Sequence, residues 1–355
     1  MKTVLHFIHS LDIGGGSMHV DKLTSDLCHD YRHIVLGCSG SYEKHLRDKL
    51  GNDLYCGDWL TTPFILLKLI LTKKLDVIHF HGRMAGVIGR LMSSFSSVKK
   101  VYTIHGFSFE SDGTFKKMLF ILFERLLAYS TDTIIFVSRD ERKLFHKVVS
   151  SKHIKKERIV FNYLNSEHNI GSIKRDITAR DTIKAIYVGR MSKEKGVDIL
   201  LQAIKNVNCP NLSLDLIGEG PYLEEFKRLS RELELDQCIF HGAVANASQL
   251  LSDYDFLFIP SRYEGMPYIM IEGVTVGIPI VCTPARGIKE FLNRDNSYIA
   301  DELSVASLTS ATKVITKDFR ENPKAIASKL LSSSKLLSCE FNKDAQLKKL
   351  KDIYN

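Results

Sequence analysis

The stretch KAIYVGRMSKEKG, Lys184–Gly196, decides the fold. Lys184–Val188 is a short, mostly apolar run of the kind that forms a buried strand, and the polar loop after it ends on Gly196. A helix is expected from near Val197, so the stretch reads strand, loop, helix. Working outward, the same rhythm recurs. Leu212–Ile217, Ile239–His241, Phe256–Ile259 and Ile280–Cys282 read as further strands on the C-terminal side. On the N-terminal side a polar segment, Leu164–Thr182, interrupts the pattern. Before it, Val4–His9, His33–Gly37, Asp76–Phe80, Val101–His105 and Thr133–Val137 read as strands, with Ser17–Asp30, Pro63–Lys73 and Phe115–Tyr129 as helices between them. Alternating strands and helices define parallel sheets covered on both faces. Two doubly wound sheets in tandem are the economical architecture, and their ligands sit beyond the carboxyl ends of strands.

Composition agrees. The chain has 355 residues, 44% hydrophobic and 25% charged, which excludes collagen-like or largely disordered protein and suffices for two cored domains. No apolar run is long enough to span a bilayer: Lys68 breaks Phe64–Leu71, and Glu124 cuts the segment after Lys117. The start, MKTVLHFIHSLDIGGG, lacks the long apolar core of a signal peptide, so mature cytosolic sequence is expected. Seven cysteines without a C-x-x-C pair give neither a disulfide framework nor a zinc spacing, and buried reduced thiols are expected. Residues 1–175 carry net charge +9 and the remainder −1. A nucleic acid, an anionic membrane or a phosphorylated acceptor would each suit the basic half.

Several loops carry chemistry-bearing residues. Gly14-Gly15-Gly16 lies between a strand and a helix, where free N–H groups can meet an anion, although a flexible turn has the same composition. It fits neither the dinucleotide fingerprint nor a P-loop. In Gly189–Gly196, Arg190 offers a bidentate fork and Lys195 a compact charge, a pair suited to a diphosphate; a solvated basic loop is the alternative. Pro260–Pro267 (PSRYEGMP) runs into YIMIE, with Pro267 at the first turn of a helix, Glu264 before it and Glu272 inside it. Glu272 has apolar neighbours and needs a partner, which ribose hydroxyls or an internal salt bridge would supply. Asp253-Tyr254-Asp255 resembles a metal-binding D-x-D but enters a strand, so no metal is assigned. His79 and His81 share one side of a strand, yet no third ligand has a recognisable spacing, and zinc is not expected.

In order, the chain shows Gly14–Gly16, Thr103-Ile104-His105-Gly106, Phe136-Val137-Ser138, Val188-Gly189-Arg190 through Lys195-Gly196, Ile217–Pro221, His241-Gly242, and Pro260-Ser261 with the E-x7-E pair Glu264 and Glu272. This series resembles the family-4 retaining glycosyltransferases of the GT-B fold over nearly the whole chain. The resemblance implies an α/β protein of two Rossmann-like doubly wound domains facing a central cleft. The expected division is an acceptor domain at 1–165, a linker at 166–182, a nucleotide-sugar donor domain at 183–325, and helices at 326–355 packing back toward the N-terminal domain.

It also implies roles. Arg190 and Lys195 would hold the donor diphosphate and stabilise the charge growing on it as the sugar departs. Glu272 would accept from the ribose hydroxyls, and Glu264 would lie near the transferred sugar or its phosphate, with Gly265, Met266 and Pro267 lining the donor. Gly15 and Gly16 would meet the phosphates or sugar, and Gly218, Gly242 and Val244 would line the nucleotide. His105 would hydrogen-bond the sugar or the reacting centre, with a structural histidine as the rival reading. Gly287 and Glu290 match a family turn facing the donor. No cofactor or metal is expected. A UDP-sugar is the first-choice donor, and a saccharide or lipid-linked saccharide in surface-polysaccharide assembly is the acceptor. Lys116 and Lys117 before the apolar Met118–Phe123 could dock on anionic lipid, although helices that cover a sheet are also apolar. Nucleic acid is not an expected partner. An idle nucleotide-sugar-binding subunit on the same scaffold is the second reading.

Overall fold

The computed structural model describes residues 1–106, 114–149, 154–164, 178, 182–244 and 246–355. Two compact units divide it, Met1–Asn162 with Asp344–Asn355, and Tyr163–Lys343. Most of the expected linker, 166–182, lies outside the described residues.

Among the described residues the first unit holds seven strands: β1 (Lys2–Ser10), β2 (Tyr31–Cys38), β3 (Leu54–Gly57), β4 (Val77–His81), β5 (Lys99–Ile104), β6 (Thr133–Phe136) and β7 (Glu157–Ile159). Their order is β3-β2-β1-β4-β5-β6-β7, every pairing is parallel, and the order reverses between β1 and β4. One sheet face carries Leu5, Phe7, Ile78, Phe80 and Ile104, buried against α3 (Thr62–Thr72), α4 (Arg83–Met92) and α5 (Thr114–Ala128). The helices begin where local chemistry supports them. Ser138 caps α6 (Arg139–Val148) by accepting from Glu141 N at 3.1 Å, and acidic Asp140 and Glu141 lie in the first turn.

The second unit holds β8 (Ile183–Val188), β9 (Leu212–Ile217), β10 (Cys238–Gly242), β11 (Phe256–Ile259), β12 (Ile280–Cys282) and β13 (Tyr298–Ile299). Its order is β10-β9-β8-β11-β12-β13, again wholly parallel, with the reversal between β8 and β11. The helix α7 (Val197–Val207) buries Val197, Leu200, Leu201 and Ile204 against this sheet. Helices α8 (Leu223–Glu232), α9 (Tyr268–Val276), α10 (Val305–Glu321) and α11 (Pro323–Cys339) complete the unit.

Three differences from the sequence reading stand out. Strands β3, β7 and β13 are additional. α11 groups with the second unit, and only α12 (Lys343–Tyr354) groups with the first from Asp344 onward, so the expected return of residues 326–355 is confined to the last helix. All seven cysteines are free, but Cys282 alone is buried, while Cys28 and Cys339 are exposed. No helix among the described residues is long and apolar enough to cross a membrane.

Candidate functional site

In the second unit the loops leaving β8 and β11 meet at the switch point, because those strands are neighbours in the sheet although far apart in sequence. Gly196 fixes their approach: its φ is 68°, and a Cβ there would lie 2.0 Å from the Pro260 carbonyl oxygen, so no L side chain fits. Arg262 completes the lock. Its backbone N–H donates to Glu194 O at 2.8 Å, and its guanidinium donates to Lys193 O at 2.6 Å and to both Asp198 carboxylate oxygens at 2.7 and 2.6 Å.

With the loops pinned, Lys195 Nζ donates to Glu264 Oε1 at 2.6 Å, and Ser261 Oγ donates to the same oxygen at 2.7 Å. A third segment closes on Glu264. Its backbone N–H donates to Arg286 O at 3.2 Å, and Gly287, at φ 73°, lies so close that a Cβ would be 2.1 Å from Gly265 O. Glu290 is half-buried in the same turn. Gly265 and Met266 are buried, and Pro267 is the cap residue just before α9 rather than part of its first turn. Glu272, the fifth residue of that helix, is half-buried.

The ends of β9 and β10 flank the β8 loop. Gly189 N donates to Ile217 O at 3.0 Å, Gly218 N to Gly242 O at 2.7 Å, and Met191 N to Glu219 O at 2.8 Å. Val244 is exposed beyond β10. The Arg190 side chain is exposed, and its carbonyl accepts from Tyr187 OH at 2.9 Å. Side-chain hydrogen bonds therefore join Lys195, Ser261 and Glu264, while Arg190 and Glu272 stand on the same switch-point elements. The observed contact thus brings together one cation, one carboxylate and one hydroxyl at the switch point. Asp255 lies at the opposite end of the sheet, where its carboxylate accepts from Lys184 N at 2.8 Å and braces the start of β8.

In the first unit the sheet order reverses between β1 and β4. Gly15 and Gly16 are the first two residues of α1 (Gly15–Asp26), so they lie inside the helix start, where backbone N–H groups lack intrahelical acceptors. His105 directly follows β5 and is half-buried. Its Nε2 lies 3.3 Å from His81 Nδ1. From His81 the imidazoles continue inward: His81 Nε2 is 3.0 Å from His6 Nδ1, and His6 Nε2 is 2.9 Å from His33 Nδ1. His79 is held by Thr103 Oγ1 and Tyr354 OH, each at 2.6 Å, and His19 of α1 packs edge-on to His105 with ring centroids 4.6 Å apart. Burial pushes the pKa of His6, His19, His79 and His81 well below the usual imidazole range, with neighbouring imidazoles adding to the effect, and lowers His105 to about 4.

This cluster corrects the sequence reading of His79 and His81. Additional imidazoles do accompany them, supplied by other elements rather than by local spacing. His6 pairs in register with His79 on the neighbouring strand, so parallel pairing puts them on one face. Histidines of matching parity on β1, β2 and β4, continued by His105 after β5, were the available signal, but it needs the strand order to be used.

Two wholly parallel α/β units, each reversing strand order beneath polar loops, define the GT-B class. Residues 171–329 match the family described as Glycosyl transferases group 1, and residues 46–163 match the Glycosyl transferase 4-like domain. The chain belongs to the family-4 glycosyltransferases. A Klebsiella pneumoniae protein described as an uncharacterized 41.2 kDa protein in the cps region is 29% identical over 82% of this chain and 83% of its own length. An Escherichia coli UDP-Gal:alpha-D-GlcNAc-diphosphoundecaprenol alpha-1,3-galactosyltransferase is 24% identical over 81% of this chain and 77% of its own length. Among solved structures, Anabaena HepE in complex with UDP and glucose matches with a TM-score of 0.82 at 18% identity, covering 99% of each chain. At that identity the likeness establishes the fold.

Proposed function

We propose that the protein is a retaining hexosyltransferase that moves a sugar from a nucleoside-diphosphate sugar, a UDP-sugar before others, to a saccharide or lipid-linked saccharide during surface-polysaccharide assembly. One observation carries the reading: locked switch-point loops hold Lys195 on Glu264, with Arg190 and Glu272 on the same elements. A diphosphate entering there exchanges one carboxylate for several phosphate oxygens around Lys195, and Arg190 adds a forked donor. Both cations are placed to meet charge that grows as the sugar–phosphate bond breaks, which accelerates departure without a metal at the diphosphate. Glu272 then serves the ribose hydroxyls and Glu264 the sugar side, with Gly218, Gly242 and Val244 lining the nucleotide. His105, Gly15 and Gly16 are assigned to the sugar or phosphates from the first unit.

Two of the three similar proteins support the donor class, and the Escherichia coli enzyme also supports the stereochemistry. HepE was solved with UDP and glucose, and the Escherichia coli enzyme uses UDP-Gal and makes an α linkage. UDP-galactose itself carries its sugar through an α bond, so that enzyme keeps the configuration. Its acceptor, a diphosphoundecaprenol-linked sugar, is the class proposed here.

A lipid-linked acceptor calls for a seat at the bilayer, and the exposed side chains of α5 support one there. Only Phe120, Glu124, Leu127 and Ala128 of this helix are buried. Phe115, Met118, Leu119, Leu122 and Leu126, with Tyr129 just beyond, remain exposed at helical spacing beside Lys116 and Lys117. Within Met118–Phe123, Phe120 covers the sheet while Met118, Leu119 and Leu122 are exposed, and we assign this exposed face to the inner leaflet of the plasma membrane.

Incubation with UDP-, GDP-, ADP- and CMP-sugars tests the proposal. A true donor raises Tm by mass action and releases nucleotide faster when acceptor extract is added. Stabilisation without release under any acceptor favours the non-catalytic subunit, and no stabilisation by any nucleotide sugar overturns both readings.

A further inference from the structure

We propose that His33, His6 and His81 are positioning residues that act through His105, fixing it as a hydrogen-bond donor toward the substrate. The inference rests on the place given to His105 above and adds which of its ring nitrogens carries the proton. The contacts run in single file: His33 Nδ1 to His6 Nε2 at 2.9 Å, His6 Nδ1 to His81 Nε2 at 3.0 Å, and His81 Nδ1 to His105 Nε2 at 3.3 Å. Each inner ring therefore meets one neighbour with one nitrogen and the next neighbour with the other.

A neutral imidazole has one N–H and one lone pair, so each contact between two rings needs a proton from one side only. Burial lowers the pKa of all four rings, which are neutral near pH 7. The protons must then all point the same way along the file, and the ring at its closed end sets the direction.

That ring is His33. Its Nε2 is buried with no hydrogen-bond partner among the described residues. A proton there would be an orphaned donor, which is the costlier way to leave a buried polar group unmatched. The Leu27 backbone also hydrogen-bonds His33 and favours its protonation, as a carbonyl acceptor does; with Nε2 unpartnered, the N–H that serves it is on Nδ1. His33 thus donates from Nδ1 to His6, and His6 and His81 pass the same polarity on. His105 accepts at Nε2, and its own proton is left on Nδ1. It meets the substrate as a donor to an oxygen lone pair, on a sugar hydroxyl or a phosphate, and not as a base. His79 lies beside the file without joining it, since Thr103 and Tyr354 engage both its nitrogens.

The test uses the full chain labelled with ¹⁵N-histidine. Long-range ¹H–¹⁵N correlation near neutral pH is expected to show Nδ1–H and a bare Nε2 on His6, His81 and His105, each signal identified by its loss in a single variant. His33→Leu removes the ring that sets the direction and is expected to leave His105 as a mixture of tautomers. His33→Gln, whose amide can donate to His6, is expected to keep Nδ1–H on His105. With UDP-glucose as donor, His81→Leu is expected to lower kcat for UDP release about 10-fold with KM within a few-fold, and to add nothing in a His105→Ala background. A merely structural role would add its loss to that of His105→Ala and leave the tautomers unchanged. Should His81→Leu fail to fold, the wild-type and His33 spectra decide. A proton on His105 Nε2 in wild type, an unaltered His105 tautomer in folded His33→Leu, or an additive loss in the double variant overturns the assignment. Wild-type turnover in His105→Ala with the Nδ1–H series intact would instead overturn the place of His105 at the sugar, while supporting the polarity of the file.

Discussion

Lys195 Nζ and Glu264 Oε1 lie 2.6 Å apart across two loops separated by 69 positions in sequence. The pair is partly exposed, with 26% of the lysine side chain and 10% of the glutamate side chain accessible, so its net stability contribution is about 0–1 kcal/mol. Its importance lies in the chemistry. Lys195→Ala is expected to lower kcat by about 100- to 1000-fold, the range for removing one donor to a developing anion, while moving Tm by only a few degrees. Nucleotide release and thermal unfolding measured on the same preparation check this, and a wild-type rate would remove Lys195 from the mechanism.

Arg190 and Glu272 make a complementary pair of tests. The Arg190 side chain is exposed, so Arg190→Ala leaves packing intact, and the same substitution at half-buried Glu272 removes a carboxylate without opening a large cavity. Each is expected to abolish most turnover with near-native circular dichroism. Arg190→Lys should recover little, since a point charge does not reproduce a forked contact. Wild-type rates in both alanine variants would show the donor binds elsewhere.

How much of this was readable beforehand follows from where each signal lives. Leu212–Ile217, Phe256–Ile259 and Ile280–Cys282 are apolar runs between turn signals, and the observed strands have the same bounds. β7 is only Glu-Arg-Ile, β13 only Tyr-Ile, and β3 includes Cys56 and Gly57, so none has a run from which a period can be read. Motif order brought out Lys195 and Glu264 as site residues. Their contact depends on β8 lying beside β11, which is a property of sheet order. The histidine cluster is the extreme case: its members belong to β1, β2, β4, α1 and the end of β5, and any one of them looks like an ordinary residue in its own segment.

Arg90 and Glu124 form an ion pair at 2.6 Å in which both side chains are wholly buried, linking α4 to α5. Arg90 Nε also donates to Gly86 O at 2.6 Å, and its guanidinium lies 4.0 Å from the Tyr102 ring centre. Arg90 Nη1 and Glu124 Oε2 have no hydrogen-bond partner among the described residues. Such a pair is costly to break and cheap to replace: Glu124→Ala should cost about 3–5 kcal/mol by stranding a buried cation, whereas joint replacement by Met and Leu should be neutral or stabilising by about 1–4 kcal/mol. Urea unfolding of the single and double variants reads this directly. Equal destabilisation by both would show that the pair contributes net stability.

The cysteines separate by access and acidity. Cys28 and Cys339 are exposed, whereas burial pushes the thiols of Cys238 and Cys282 up to about 12. Since the thiolate is the nucleophile, iodoacetamide at mildly alkaline pH should label Cys28 and Cys339 first and Cys282 only after unfolding. Peptide mass mapping over time gives the order, and early Cys282 labelling would mean that the β12 core opens in the native state.

The exposed face of α5 predicts a salt-dependent lipid interaction. Phe115 is 78% exposed and Met118 65%, an unfavourable arrangement in water that burial in an acyl boundary relieves at about 25 cal/mol per Å². Anionic headgroups would add attraction to a first half of net charge +9. The protein should co-sediment with phosphatidylglycerol-rich vesicles and much less with neutral phosphatidylcholine vesicles, and added salt should weaken binding through screening. Leu122→Glu and Leu126→Glu lie on the exposed face, so both should fold normally while reducing vesicle binding about 10-fold or more. They should slow transfer to a lipid-linked acceptor but not donor hydrolysis in solution, because α5 carries none of the residues assigned to the donor. Unchanged vesicle binding in the double variant would assign the apolar stripe to something other than the bilayer.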